Sequence, residues 1–298
     1  MKATIAQPFI KWAGGKRQLL NELEKYYPQT IERYIEPFVG GGAVLFDIIA
    51  KRNPKEIIIN DACEPLIIAY KMICKKPNQV IDILSRLQKR YHYAKTMDEL
   101  KGNKTNTKEY YNKIRNEYNF GNIDDITRAA YFIFLNRTCF NGLYRTNQNG
   151  QFNVPAGDQK RPIICDVKNI KAISKTLKPI TIVSGDYKDC INKYLTPDAF
   201  VYLDPPYRPL TKTSSFTAYT TYIWDDNKQI ELAKTIEQIA NCGAKFLLSN
   251  SDPHNNDPND NFFDDLYKNF TIERIYANRV ISSKNKGRKK VTELLIHN

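Results

Sequence analysis

Two hydrophobic rhythms alternate along the chain. Ile57-Ile58-Ile59, Phe200-Val201-Tyr202-Leu203 and Phe246-Leu247-Leu248 carry apolar side chains on successive positions, as a strand does when both of its faces are covered. With residues 34–39 and 180–183 they predict a mostly parallel sheet. Val291–His297 closes that sheet, paired with Thr271–Ala277. Helical spacing takes over between them. Val80, Ile83, Leu84 and Leu87 recur on one helical face, as do Ala129, Ala130, Ile133 and Phe134. Residues 43–51 and 226–241 predict two further helices, the second closed by Gly243 at its C′ position. The polar stretches 101–108, 249–261 and 282–290 read as loops. The last carries Lys284, Lys286, Arg288, Lys289 and Lys290, either as a solvated tip or as a phosphate contact. The expected fold class is α/β, with a mostly helical insertion near residues 62–170.

Composition narrows the function. The 298 residues are 42% hydrophobic and 26% charged, the balance of a globular chain. Lysine and arginine number 45 against 32 acids, a net charge of +13. That excess points either to a polyanionic partner or to a lysine-rich composition. The six cysteines form no CxxC pair and there are three histidines, so no metal site is expected. Free thiols in a reducing cytosol fit them better than disulfides. Lys2, Gln7, Pro8 and Lys11 interrupt the first twelve residues, leaving no secretory h-region. No run is long and apolar enough to span a membrane. A cytoplasmic monomer is the expectation.

The segment Glu36-Pro37-Phe38-Val39-Gly40-Gly41-Gly42 lies between a predicted strand and a predicted helix. Glycines there let a ligand approach the backbone, and the helix start offers free N–H groups. Asp61 ends the next strand, where nucleotide-binding α/β folds place an acid for ribose hydroxyls. The glycines do not form GxGxxG, and no GxxxxGK[ST] loop is present. A nucleoside cofactor without pyrophosphate fits better, which points to S-adenosylmethionine.

Asp204-Pro205-Pro206-Tyr207 follows a buried strand. Two prolines stop strand pairing and fix a rigid turn at the ligand crevice. An exocyclic amine on an aromatic base is a poor nucleophile because its lone pair is delocalised. The Asp204 carboxylate and the Pro205 carbonyl can accept both N–H groups, orient the lone pair and stabilise the charge that develops on nitrogen. Tyr207 offers a ring for stacking, worth about 1–3 kcal/mol per base. A base inside a duplex has to be flipped out to reach such a site.

These residues resemble a known family. Pro8-Phe9-Ile10-Lys11-Trp12-Ala13-Gly14-Gly15-Lys16, Phe38-Val39-Gly40-Gly41-Gly42 and Asp204-Pro205-Pro206-Tyr207 are similar, in sequence and in order, to the alpha-group, Dam-type DNA adenine-N6 methyltransferases. So are Asn136-Arg137, Phe140-Asn141-Gly142-Leu143-Tyr144-Arg145 and Phe152-Asn153-Val154-Pro155. The resemblance implies a Rossmann-like, S-adenosylmethionine-dependent sheet in residues 1–62 and 166–298, and a helical target-recognition domain in residues 63–165. It places Trp12, Lys16, Gly40, Gly41 and Asp61 on the cofactor, with Asp186 and Tyr187 holding its adenine. Asp204 lies beside the cofactor and, with Pro205 and Tyr207, forms the catalytic set.

Double-stranded DNA is the implied partner, in a restriction-modification or DNA-marking role, alone or beside a cognate endonuclease. Lys11 would touch DNA, Phe140 wedge into the stack, and Leu143 meet a thymine methyl. Arg145 would read a guanine edge, with Asn141 supporting it. On their own, Phe140 and Leu143 would read as core and Arg145 as a surface charge. One departure stands out: after Asn153-Val154-Pro155 the family commonly continues Gly-Arg-Tyr-Lys, whereas here Gly157-Asp158-Gln159-Lys160 follows. Gln159 becomes the candidate base reader, with a GATC-like target. Methylation of RNA or of a protein amide is the competing enzyme reading, and a DNA-binding protein that has lost catalysis is the competing reading outside enzymes.

Overall fold

The computed structural model describes residues 5–208, 224–277 and 291–298. Its centre is a seven-stranded sheet in the order β3-β2-β1-β4-β5-β7-β6. The strands are β1 (Arg33–Glu36), β2 (Glu56–Asp61), β3 (Thr181–Ser184), β4 (Ala199–Leu203), β5 (Lys245–Ser251), β6 (Thr271–Ala277) and β7 (Val291–His297). β3, β2, β1, β4 and β5 pair in parallel. β7 runs antiparallel between β5 and β6; its pairing with β6 is as expected, but β6 rather than β7 closes the sheet. This is the Rossmann-like methyltransferase sheet the resemblance implies, and its strand order reverses between β1 and β4. In open α/β sheets the ligand crevice opens at that point, beyond the strands' carboxyl ends.

Strand side chains alternate between two cores. Tyr34, Ile57, Ile59, Phe200, Tyr202 and Leu295 face one. Ile35, Ile58, Val201, Leu203, Leu294 and Ile296 face the other. Beside the first core lie α1 (Leu20–Leu23), α2 (Ala43–Arg52), α3 (Glu64–Lys75), α4 (Pro77–Lys101), α5 (Thr105–Phe120), α6 (Asp125–Thr138) and α7 (Val167–Leu177). Against the second pack α8 (Tyr187–Tyr194), α9 (Asp226–Asn241) and α10 (Phe262–Leu266). Gly243 follows α9 at φ +93°, the left-handed stop the sequence predicts.

Two polar stretches behave differently from their reading as loops. Only residues 102–104 separate α4 from α5. Asp98, near the end of α4, accepts the backbone N–H groups of Asn106 and Thr107 at 2.8 and 2.9 Å, so α5 borrows its N-terminal cap from the preceding helix. Burial works against that carboxylate, yet the donors of Thr107 and Asn106 hold it down to about 2. In the stretch 249–261, Ser249-Asn250-Ser251 instead completes β5 and is buried. Tyr202 and Ser249 share a hydrogen bond of 2.9 Å, and Asn250 donates to Gln229 at 3.2 Å; polar residues that satisfy one another can occupy a central strand. The lysine-rich stretch 282–290 lies outside the described residues.

Candidate active site and reading hairpin

Pro37 ends β1, and the chain turns through Gly40 at φ +47°. A Cβ there would stand 2.6 Å from the Trp12 ring, so both conformation and space demand glycine. Gly41 also packs on Trp12. The Gly40 N–H donates to one Asp61 oxygen and the Cys63 N–H to the other, each at 2.9 Å. One lone pair on each oxygen remains for a diol. Desolvation pushes the Asp61 carboxyl up to about 6 against those two donors.

Asn60 ties the neighbouring turns together, donating to the carbonyls of Pro37 and Gly185 at 3.1 and 3.0 Å. Its own side-chain oxygen is buried without a partner, an acceptor with capacity to spare. Asp186 caps α8 through the Lys188 N–H at 2.8 Å. The Tyr187 ring sits 5.1 Å from Phe38 and 5.9 Å from Trp224, and those two rings are 5.6 Å apart. Three aromatics thus cluster at the ends of β1 and β3.

Across the switch point, Asp204 leaves β4 into the proline turn. Lys16, 3% exposed, donates to both Asp204 oxygens at 2.7 and 2.8 Å and to the Gly14 carbonyl at 2.9 Å. Its ammonium also lies 4.8 Å from the centre of the Tyr207 ring, a cation–π distance. Burial pushes the Asp204 carboxyl up to about 6; the ion pair with Lys16 opposes that rise. The Tyr207 hydroxyl donates to Glu293 on β7 at 2.8 Å. Burial beside Asp204 and Glu293 keeps this phenol protonated well above its usual range. Pro205 is buried, and the Pro206 carbonyl accepts from Gln229 of α9 at 3.2 Å. The tetrapeptide is therefore held by Lys16, by Gln229 of α9 and by Glu293 of β7 together.

A second cluster is built where α6 runs into a 3₁₀ turn, Phe140–Gly142, and the chain then folds back as a hairpin with antiparallel bridges at Thr146–Phe152 and Cys139–Ala156. Asn136, 1% exposed, accepts the Lys11 N–H at 2.8 Å. Its amide donates back to the carbonyls of Lys11 and Gly142 at 2.8 and 2.9 Å. Asn141 stands at φ +54°, a left-handed conformation that asparagine tolerates. Phe140 is 52% exposed, and Asn141 and Arg145 are exposed as well. Leu143 is half-buried against the core. Asn153 orients the Arg145 guanidinium, accepting from its Nε at 2.7 Å. The Gln159 amide donates to the Cys139 carbonyl at 2.8 Å, and its oxygen is buried without a partner. Asp158 pairs with Lys95 and Lys104, so its charge is already countered. Trp12 stacks on Tyr144 at 5.9 Å, and the segment 11–12 thereby touches both clusters.

The proposed site residues fall into these two clusters: Trp12, Lys16, Gly40, Gly41, Asp61, Asp186, Tyr187, Asp204, Pro205 and Tyr207 around the strand ends, and Lys11, Phe140, Asn141, Leu143, Arg145 and Gln159 around the 3₁₀ turn. Glu293, Gln229 and the bridging role of Asn136 were not foreseen. Glu293 leaves one sequence signal, a carboxylate directly before the apolar run Leu294-Leu295-Ile296 of the terminal strand.

Comparison with known proteins decides the family. The sequence profile described as D12 class N6 adenine-specific DNA methyltransferase matches residues 12–281. The chain belongs to that class. It is 44% identical to a type II methyltransferase, M.MjaIII, of Methanocaldococcus jannaschii, covering 98% of this chain and 99% of the relative. Identity is 37% to the type II methyltransferase M1.LlaDCHI of Lactococcus lactis, over 98% of this chain and 95% of that one. It is 32% to the DNA adenine methylase of Escherichia coli, over 96% and 93%. This D12-class chain is an adenine-N6 DNA methyltransferase. Among the described residues no helix is long and apolar enough to cross a membrane, and no cluster of three or more His, Cys, Asp or Glu forms a metal site.

Proposed function

We propose that this enzyme transfers a methyl group from S-adenosylmethionine to N6 of an adenine flipped out of a short, GATC-like duplex site. One observation carries the reading: the desolvated Asp204 carboxylate stands at the end of β4, across the switch point from the Gly40 turn and Asp61. The residues at the strand ends fit the cofactor. Asp61 keeps two lone pairs for ribose hydroxyls, and Asn60 offers a buried acceptor with no partner. Trp12 packs directly against Gly40 and Gly41 at the edge of the crevice, and Lys16 holds the Asp204 carboxylate there. When bound, the cofactor supplies an electrophilic methyl group on a sulfonium.

The chain's own residues do the rest. Asp204 and the Pro205 carbonyl accept hydrogen bonds from the N6 amino group and orient its lone pair, the nitrogen giving up one proton as it takes the methyl group, and Tyr207 stacks on the base. No residue needs to become covalently attached to the base. Phe140 occupies the gap left in the duplex, Arg145, Leu143 and Gln159 read base edges, Asn141 supports them and Lys11 contacts the DNA. Residues 1–62 and 166–298 act as the catalytic domain and 63–165 as the target-recognition domain. The protein works as a cytoplasmic monomer, in restriction-modification beside a cognate endonuclease or in DNA marking.

The test is to incubate duplex DNA with purified protein and S-adenosylmethionine and map N6-methyladenine at single-base resolution. One short palindromic motif is the expected result. Unmodified DNA despite cofactor binding would overturn the reading, and a motif other than GATC would correct the target alone.

A further inference from the structure

We propose that Glu293 is a positioning residue for methyl transfer, holding the Tyr207 ring square to the flipped base while facing the Lys16–Asp204 pair. The inference rests on the proposed function above and adds a residue from the far end of the chain. Glu293 sits on β7, in register with Ser251 of β5 and Ile275 of β6. It therefore stands on a strand paired on both sides rather than on a free loop. Its Oε2 accepts the Tyr207 hydroxyl at 2.8 Å and lies 4.0 Å from the Lys16 ammonium.

Tyr207 follows two prolines, which fix its backbone but leave its ring free to rotate about χ1 and χ2. Two contacts remove that freedom. The hydroxyl is anchored at Glu293, and the Lys16 ammonium covers one ring face at 4.8 Å. A stacked base then has the opposite face. A phenol donating to a carboxylate makes a charge-assisted bond, stronger than one to water. The same carboxylate faces Asp204 with like charge, while Lys16 opposes it. Glu293 consequently adds to the rise in the Asp204 carboxyl and supplies Lys16 with a second anion. Its charge and its hydrogen bond have separable consequences.

The test compares Glu293→Gln with Glu293→Leu on a duplex carrying the target adenine, and on one with 2-aminopurine in its place. Glutamine retains an oxygen that accepts the phenol but drops the charge. Its turnover stays close to wild type, and the acid limb of its pH–rate profile moves to lower pH. Leucine drops both. Its kcat falls on the order of a hundred-fold, the cost of a misplaced reacting partner, with KM for the methyl donor little changed. Bound 2-aminopurine brightens in that variant because the ring no longer quenches it. Thermal unfolding of the leucine variant checks that the strand is intact.

Wild-type kcat and wild-type emission in the leucine variant would overturn the proposal. So would equal losses in both variants with an unmoved pH profile, the mark of a purely structural residue. Wild-type protein that leaves adenine unmodified would overturn the functional reading and this inference together; active wild type with indifferent variants sinks this inference alone.

Discussion

At the strand ends Lys16 is 3% exposed and takes both oxygens of Asp204, whereas on the hairpin Phe140 is 52% exposed and Arg145 reaches outward from Asn153. The two regions are built for different tasks. Orienting a weak nucleophile needs acceptors that are dry and already fixed, because electrostatic stabilisation is strongest where water is excluded. Burial accordingly lifts Asp204 and Asp61 to about 6. The proposed duplex readers stand clear of the fold, beside a left-handed Asn141, and their order lies underneath, in the buried Asn136. The regions meet at two adjacent residues. Lys11 is tied to Asn136, and Trp12 stacks on Tyr144 while lying against Gly40.

The largest expected break in this contrast comes from Lys16→Met. Asp204 would then lie desolvated without its counter-ion, and turnover at neutral pH falls a hundred-fold or more, on the order seen when a preorganised charge contact is removed. The pH profile carries a further signature. Asp204 acts as an acceptor in its ionised form, so kcat/KM drops as pH falls through the Asp204 value of about 6. Lys16 lowers that value, and its loss moves the acid limb to higher pH. A limb that stays in place would show that Lys16 and Asp204 are not coupled in the working enzyme.

Arg145→Ala acts on the other region and by less. Losing a bidentate base contact costs about 1–3 kcal/mol at one base pair. Methyladenine mapping should therefore show relaxed preference at a single position of the motif, with the reaction itself intact. Loss of turnover on the cognate site with no change in preference would instead make Arg145 part of the chemistry.

How far the sequence foretold each region differs for physical reasons. Unbroken apolar runs reveal parallel strands, and the glycine turn, Asp61 and the proline tetrapeptide directly follow such runs. Most of the strand-end cluster was legible because the fold places function at the ends of its most recognisable elements. What connects that cluster across the chain was not. Glu293 lies 86 residues beyond Tyr207, and no local pattern joins a terminal strand to a proline turn. The cap that Asp98 lends to α5, and the buried Ser249-Asn250-Ser251 end of β5, were concealed for the same reason: their polar groups are satisfied by tertiary partners. Without the family resemblance the hairpin residues would have passed as core and surface, since exposure and a left-handed asparagine leave no periodic trace.

The most direct test measures Asp204→Ala on a duplex bearing the recognition motif, with S-adenosylmethionine saturating and DNA binding read in the same sample. The predicted result is a complex of near wild-type affinity in which no adenine acquires an N6-methyl group. Methylation persisting at the motif would contradict the account, because the acceptor that orients the amine would then lie elsewhere.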